Sequence, residues 1–240
     1  LKALHLILPV TLAALLVVTV ELGSSIERYW GLLSLVMLGL LLLDFLVIFN
    51  EKVEGSKDIA LIAILGSISA AARVPFAGIP SVQPSTFIIM TAGMVFGAYV
   101  GCMVGFETAL LSNFLLGQGP WTPWQMLAWG LAGVLGAALR FTSRTKHGIY
   151  IFMAVAFLYG YVYGIIMNIW YWLAFIYPHT IESFLLVWTL SLYFDTMHAV
   201  GNLIFVDLFG HKLIMIFNRY KSRFAVNYNS STNAELCGGN

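Results

Sequence analysis

Apolar runs of about the length that crosses a bilayer recur along this chain, and they limit its fold more than anything else in the sequence. A helical span needs roughly 20 predominantly apolar residues. Runs near that length cover residues 4–23, 31–50, 58–74, 125–141, 148–176 and 184–217. Hydrophobic residues make up 60% of the 240 and charged ones 10%, at a mean hydropathy of +0.88. A soluble domain carries roughly 25% charge, so the sequence predicts an all-α integral membrane protein. The first run is too long for a signal-peptide core and lacks a small-x-small cleavage site, and is expected to be a retained span.

Several function classes drop out at once. Lys plus Arg is 12 and Asp plus Glu is 11, so no one-signed field draws nucleic acid. Cys102 and Cys237 are too far apart in sequence and character to suggest a disulfide framework or a metal motif. The chain has no GxxxxGK[ST] phosphate loop, no GxSxG and no HExxH, and no cofactor is implied.

Residues 86–116 are ambiguous, because Gly93, Gly97, Gly101 and Gly105 recur every fourth position. They suit a packing ridge on one long helix or a turn between two short ones. Positive charge chooses between them. With a turn near Gly97 to Gly101, Lys2, Lys52, Lys57, Arg140, Arg144, Lys146, Lys212, Arg219, Lys221 and Arg223 fall on the cytoplasmic side, ten residues against only Arg28 and Arg73 outside. A continuous helix gives three inside and nine outside. The turn is therefore expected, with eight helices and both termini cytoplasmic: two extra N-terminal spans in 1–56, a six-helix core in 57–224, and a disordered polar tail in 225–240. Two of the helices are short enough to need support from neighbours or to leave a cavity.

Polar residues gather toward the outer ends. The loop VPFAGIPSVQPS holds Pro75, Pro80, Pro84 and a lone Gln83, and reads as a stiff cap over a cavity or as an ordinary connector. In SNFLLGQGPWTPWQMLAWG, Asn113, Gln118, Trp121, Trp124, Gln125 and Trp129 crowd together. An interfacial aromatic belt accounts for Trp121 and Trp124 but less well for the amides, which suit a polar neutral ligand between aromatic walls. Ser191, Asp195, His198 and Asn202 are spaced four, three and four, so they form one stripe on the last helix. That stripe faces either a cavity or an internal network such as Asp195 with His198, and Glu107 is a candidate partner from another helix. Asn168, Tyr171 and Trp172 add to the outer half of helix 148–176, where the belt again competes for Tyr171 and Trp172.

From about Lys57 to Phe217 the chain resembles the substrate-binding S component of energy-coupling factor (ECF) vitamin transporters. The run IPSVQPSTFIIMTAGMVFGAYVG followed by SNFLLGQGPWTPWQM is similar to a subgroup associated with corrinoid uptake. The resemblance implies a membrane-embedded subunit that binds a vitamin such as cobalamin through Gln83, Asn113, Gln118, Trp121, Trp124, Gln125, Asn168, Trp172, Asp195 and His198. It also implies a separate transmembrane coupling subunit and two ATPases, which fits the missing phosphate loop. For a corrinoid, His198 or His179 is a candidate approach to the cobalt.

Two features depart from the pattern: the extra N-terminal helices, and the absence of a strict Ala-x-x-x-Ala motif in the first core helix. In its place Ala63, Ser67 and Ala71 recur every four residues, with Gly66 and Ala70 beside them, as a low-bulk face that suits either a partner helix or internal packing, for instance against the Gly93 to Gly105 ridge. The competing classes are a stand-alone permease and a membrane enzyme using Asp195, His198 and Glu107.

Overall fold

The computed structural model describes residues 36, 40, 43, 56–144 and 147–237, so the two N-terminal spans expected in 1–56 lie almost wholly outside the described residues. Six helices follow: α1 (Ser56–Arg73), α2 (Ser85–Phe96), α3 (Ala98–Leu116), α4 (Thr122–Ala138), α5 (Gly148–Phe175) and α6 (Ile181–Cys237). Short 3-10 turns at Val74–Phe76 and Leu139–Arg144 extend α1 and α4. Among the described residues four stretches are long and apolar enough to cross a membrane: Lys57–Phe76, Ala98–Leu116, Gly148–Phe175 and Ile181–Arg223. The backbone of α6 stays helical to Cys237, past Phe224 where the sequence predicts a disordered tail. Nothing between Phe224 and Gly238 is a proline or glycine that would break it.

The glycine ambiguity resolves as a turn. Helix α2 ends at Gly97, whose φ of 107° and ψ of 172° lie in a region open essentially to glycine alone, and α3 starts at the next residue. The chain doubles back so tightly that a Cβ on Gly101 would stand 2.6 Å from the Cα of Gly93. The glycines form a packing ridge as well. A Cβ on Gly93 would lie 1.9 Å from the carbonyl oxygen of Gly133 in α4, and one on Gly105 would lie 2.3 Å from that of Trp129. Lipid is as apolar as leucine, so helices gain little from burying apolar surface and depend on such backbone approach.

Helix α2 is the centre of the bundle. Its 12 residues rise about 18 Å, short of the ~30 Å hydrocarbon layer, and every residue from Ser85 to Val95 is buried. Helices α3, α4 and α6 enclose it. At its C-terminal end Lys221 of α6 donates to the Val95 carbonyl at 2.5 Å, placing a cation at the negative end of the helix dipole. On the outside, Leu158 and Val162 of α5 and Leu186 and Leu190 of α6 are exposed, as a lipid-facing surface requires.

Gly97→Ala is expected to lower stability by about 1–3 kcal/mol, the usual cost of a side chain held in a glycine-only conformation. No atom lies within 4 Å of the added carbon, so backbone conformation alone carries the loss. Gly78→Ala, equally uncrowded and without a positive φ, is the control and should be near neutral. Thermal unfolding of both variants in detergent measures the difference.

Candidate functional site

A cavity of about 350 Å³ opens at the end of the bundle that carries the Val74–Pro84 segment. Arg73 reaches it from the last turn of α1, Gln83 from the loop and Gln125 from the first turns of α4. Asn168 lies late in α5, and Asp195 and His198 early in α6. Pro75, Pro80 and Pro84 bar the loop from continuing α1, so the chain turns across the cavity instead of leaving the bundle.

The organising residue is Arg73, which the sequence offers only as one of two outer charges. It is 8% exposed, and no carboxylate is among its partners. Its Nε donates to Gln83 Oε1 at 2.7 Å, and Nη1 donates to Ser112 Oγ at 2.7 Å and Asn113 Oδ1 at 2.9 Å. The guanidinium carbon lies 5.0 Å from the ring centroid of Trp129, within cation–π range. Hydrogen bonds to a charged group are each worth about 1.5–3 kcal/mol, and three of them offset much of the cost of burying the charge.

The amides that the sequence groups around SNFLLGQGPWTPWQ do come together, but chiefly to hold Arg73. Asn113 Nδ2 donates to Thr122 Oγ1 at 2.9 Å and Gln125 Oε1 at 2.7 Å. Thr122 Oγ1 donates to Gln118 Oε1 at 2.8 Å, and Gln118 Nε2 ends the network on the Leu110 carbonyl at 3.0 Å. Of this group only Gln125 lines the cavity; Asn113 and Gln118 stand behind it.

The aromatic residues divide similarly. Trp124 is buried in a small cluster with Trp170 and Leu173, and Trp121 packs edge-on to Trp170 at 6.1 Å. Trp172 turns to the loop, donating to Ser183 Oγ at 2.8 Å and lying 5.0 Å from the His179 ring. Trp121, Trp124 and Trp172 therefore do not line the cavity, while Trp170 and Tyr171, on the neighbouring face of α5, do.

The α6 stripe faces inward as its spacing predicts, with partners other than those expected. His198 Nε2 shares a hydrogen bond with Thr86 Oγ1 at 2.9 Å, and Thr86 accepts from Trp129 Nε1 at 3.1 Å. Tyr163 packs edge-on to the His198 ring at 4.7 Å. Asp195 is bonded not to His198 but to Ser191 Oγ at 2.9 Å and Asn168 Nδ2 at 3.4 Å. Asn202 lies deeper and donates to the Ala156 carbonyl at 3.1 Å. Glu107 belongs to another part of the bundle: it packs against Gly66 of α1 and does not line the cavity. The three-residue acid–base group of the enzyme reading therefore does not assemble. Among the described residues no group of three or more His, Cys, Asp or Glu is placed to hold a metal ion.

The low-bulk face of α1 also divides. Ala63 and Ser67 are exposed beside Ile64 and Ile68, whereas Gly66 and Ala70 are buried. Gly66 faces the Glu107 side chain, whose carboxyl would have to shift to admit a Cβ there, at 2.4 Å. Gly66 and Ala70 are internal packing positions, and the predicted docking face narrows to the outward row.

Membrane-crossing helices that turn their polar side chains toward one cavity at one end define a class of protein that holds a solute within the membrane. The family model of the ECF-type riboflavin transporter, S component, matches residues 56–221, and the chain belongs to that family. It is a substrate-binding membrane subunit of an ECF transporter, the partner of an ECF module with a vitamin substrate, and not an enzyme. No curated relative and no solved structure matches the chain.

Asn113→Ala tests the relay. The substitution strips a partner from Arg73, Thr122 and Gln125 together, and is expected to destabilise the fold by about 1–3 kcal/mol even though Asn113 does not line the cavity. A fall in the detergent unfolding midpoint without ligand would show it.

Proposed function

We propose that this chain captures riboflavin at its outer face and delivers it through a transmembrane coupling subunit driven by two ATPases. The carrying observation is the cavity: about 350 Å³, walled by aromatic rings and set with a few polar groups. This lies at the small end of the roughly 300–1,000 Å³ typical of ligand pockets, and suits a flat tricyclic ring with a short polar chain. The family description names the same ligand. A corrinoid, a macrocycle with a nucleotide tail, is several times larger than a flavin and finds no comparable space here. His198, the proposed approach to cobalt, has Nε2 engaged by Thr86. The charge count supports an outward-facing cavity with both termini cytoplasmic.

Titrating the purified chain with riboflavin should quench flavin fluorescence saturably, without turnover, while cyanocobalamin binds no more than a soluble control does. Saturable cobalamin binding with unquenched riboflavin would restore the corrinoid reading.

Docking falls to the outward row of α1. Ala63 and Ser67 leave a shallow strip beside Ile64 and Ile68, so a partner helix can approach the backbone closely. Ala63→Trp is expected to leave riboflavin binding intact in the isolated chain while abolishing copurification with the coupling subunit and ATP-dependent uptake. Normal uptake by this variant would rule the strip out as the docking face.

A further inference from the structure

The cavity carries two charges that do not meet. On one wall Arg73 uses Nε and Nη1 on Gln83, Ser112 and Asn113, which leaves Nη2 without an acceptor among the described residues. On another wall Asp195 accepts at Oδ2 from Ser191 and Asn168, which leaves Oδ1 without a donor. Asn168 donates through Nδ2 to Ser191 at 2.6 Å and to Asp195, so its own Oδ1 is likewise unengaged. Gly164 gives the carboxylate its room, since a Cβ there would stand 2.2 Å from Asp195 Oδ1. All of these residues except Ser112 and Asn113 line the cavity.

The two walls ask for opposite chemistry. Arg73 offers an N–H to an acceptor such as a ring carbonyl. The α5–α6 wall offers two free acceptor oxygens, one of them charged, and calls for a group that brings several donors. Adjacent hydroxyls do that, and the flat edge of a flavin does not. Building on the flavin reading, we infer that Asp195 and Asn168, positioned by Ser191 and Gly164, form a polyol subsite that holds the ribityl hydroxyls and excludes their phosphate ester, while Arg73 takes the carbonyl edge of the ring. A phosphate monoester carries about −1.5 to −2 charge at neutral pH, and beside a carboxylate in a water-poor site that charge is repelled.

The test compares three probes on the purified full chain: riboflavin, lumiflavin (the same ring with a methyl in place of the polyol) and flavin mononucleotide. In Asp195→Asn, riboflavin affinity should fall about tenfold or more, the range for losing a hydrogen bond to a charged group. Lumiflavin should stay within about twofold of wild type, since the ring contacts are intact, and its retention also reports a folded site. Flavin mononucleotide, weak in wild type, should close much of its gap to riboflavin. Arg73→Lys should weaken riboflavin and lumiflavin alike. Equal losses of riboflavin and lumiflavin in Asp195→Asn, or an unchanged preference against the phosphate, would overturn the polyol subsite and leave the flavin reading standing. Failure of the wild-type chain to bind either riboflavin or lumiflavin would overturn both.

Discussion

A guanidinium held inside a membrane protein by neutral partners is the constraint around which the outer half of this molecule is arranged. A charge in that position is costly unless most of its donors are met and its surroundings polarise toward it. Arg73 reaches oxygens from the loop and from α3, and the face of an indole from α4. Each acceptor is then oriented by the next residue along, through Asn113 to Thr122, Gln125 and Gln118. The relay fixes the relative positions of α1, the Val74–Pro84 segment, α3 and α4 at one end of the bundle. The cavity is bounded by these elements on one side and by α5 and α6 on the other.

The inner scaffold obeys a different rule. Around α2 the close contacts are backbone against backbone, at Gly93, Gly101 and Gly133 and again where Gly136 approaches the Met90 carbonyl. Helices in lipid must meet this closely for dispersion to hold them. Large side chains are placed on the remaining faces, where Trp129 and Phe152 are fully buried. Polar anchoring at the outer end and glycine packing at the centre thus do separate work. The two meet at Thr86, a residue of α2 that joins Trp129 of the Arg73 wall to His198 of α6.

Much of this was legible in the sequence where the signal was periodic. The spans at 58–74, 148–176 and 184–217, the turn at Gly97 and the inward stripe of Ser191, Asp195, His198 and Asn202 follow from run length, charge placement and helical spacing. The run at 125–141 is instead the 17-residue helix Thr122–Ala138, too short to count as a span, and the two N-terminal spans lie almost wholly outside the described residues. The fold class needed nothing more. The site was less legible, because spacing shows that residues share a region but not which of them face the cavity. Trp172 and Trp170 are two residues apart on a helix, so they point in different directions, and the one not chosen lines the cavity. Asn113 and Gln118 were found as a cluster, yet their partners across the bundle make them supports. Arg73 was missed because it was counted for topology alone, although an arginine ending an apolar run was itself a signal. Whether Gly66 and Ala70 face a partner or the interior is not legible either, because nothing in a single helix reveals that Glu107 of α3 lies against Gly66.

The shortness of α2 carries a consequence for the helices around it. Its hairpin with α3 turns after about 18 Å of rise, so α2 does not cross an ordinary ~30 Å hydrocarbon layer by itself. Lys221 brings an ammonium to the level of that turn, where it caps the Val95 carbonyl. The longer helices around α2, chiefly α6, have to supply the rest of the hydrophobic height at that corner. The mismatch that the bundle must make good there is thereby built into the length of a single helix.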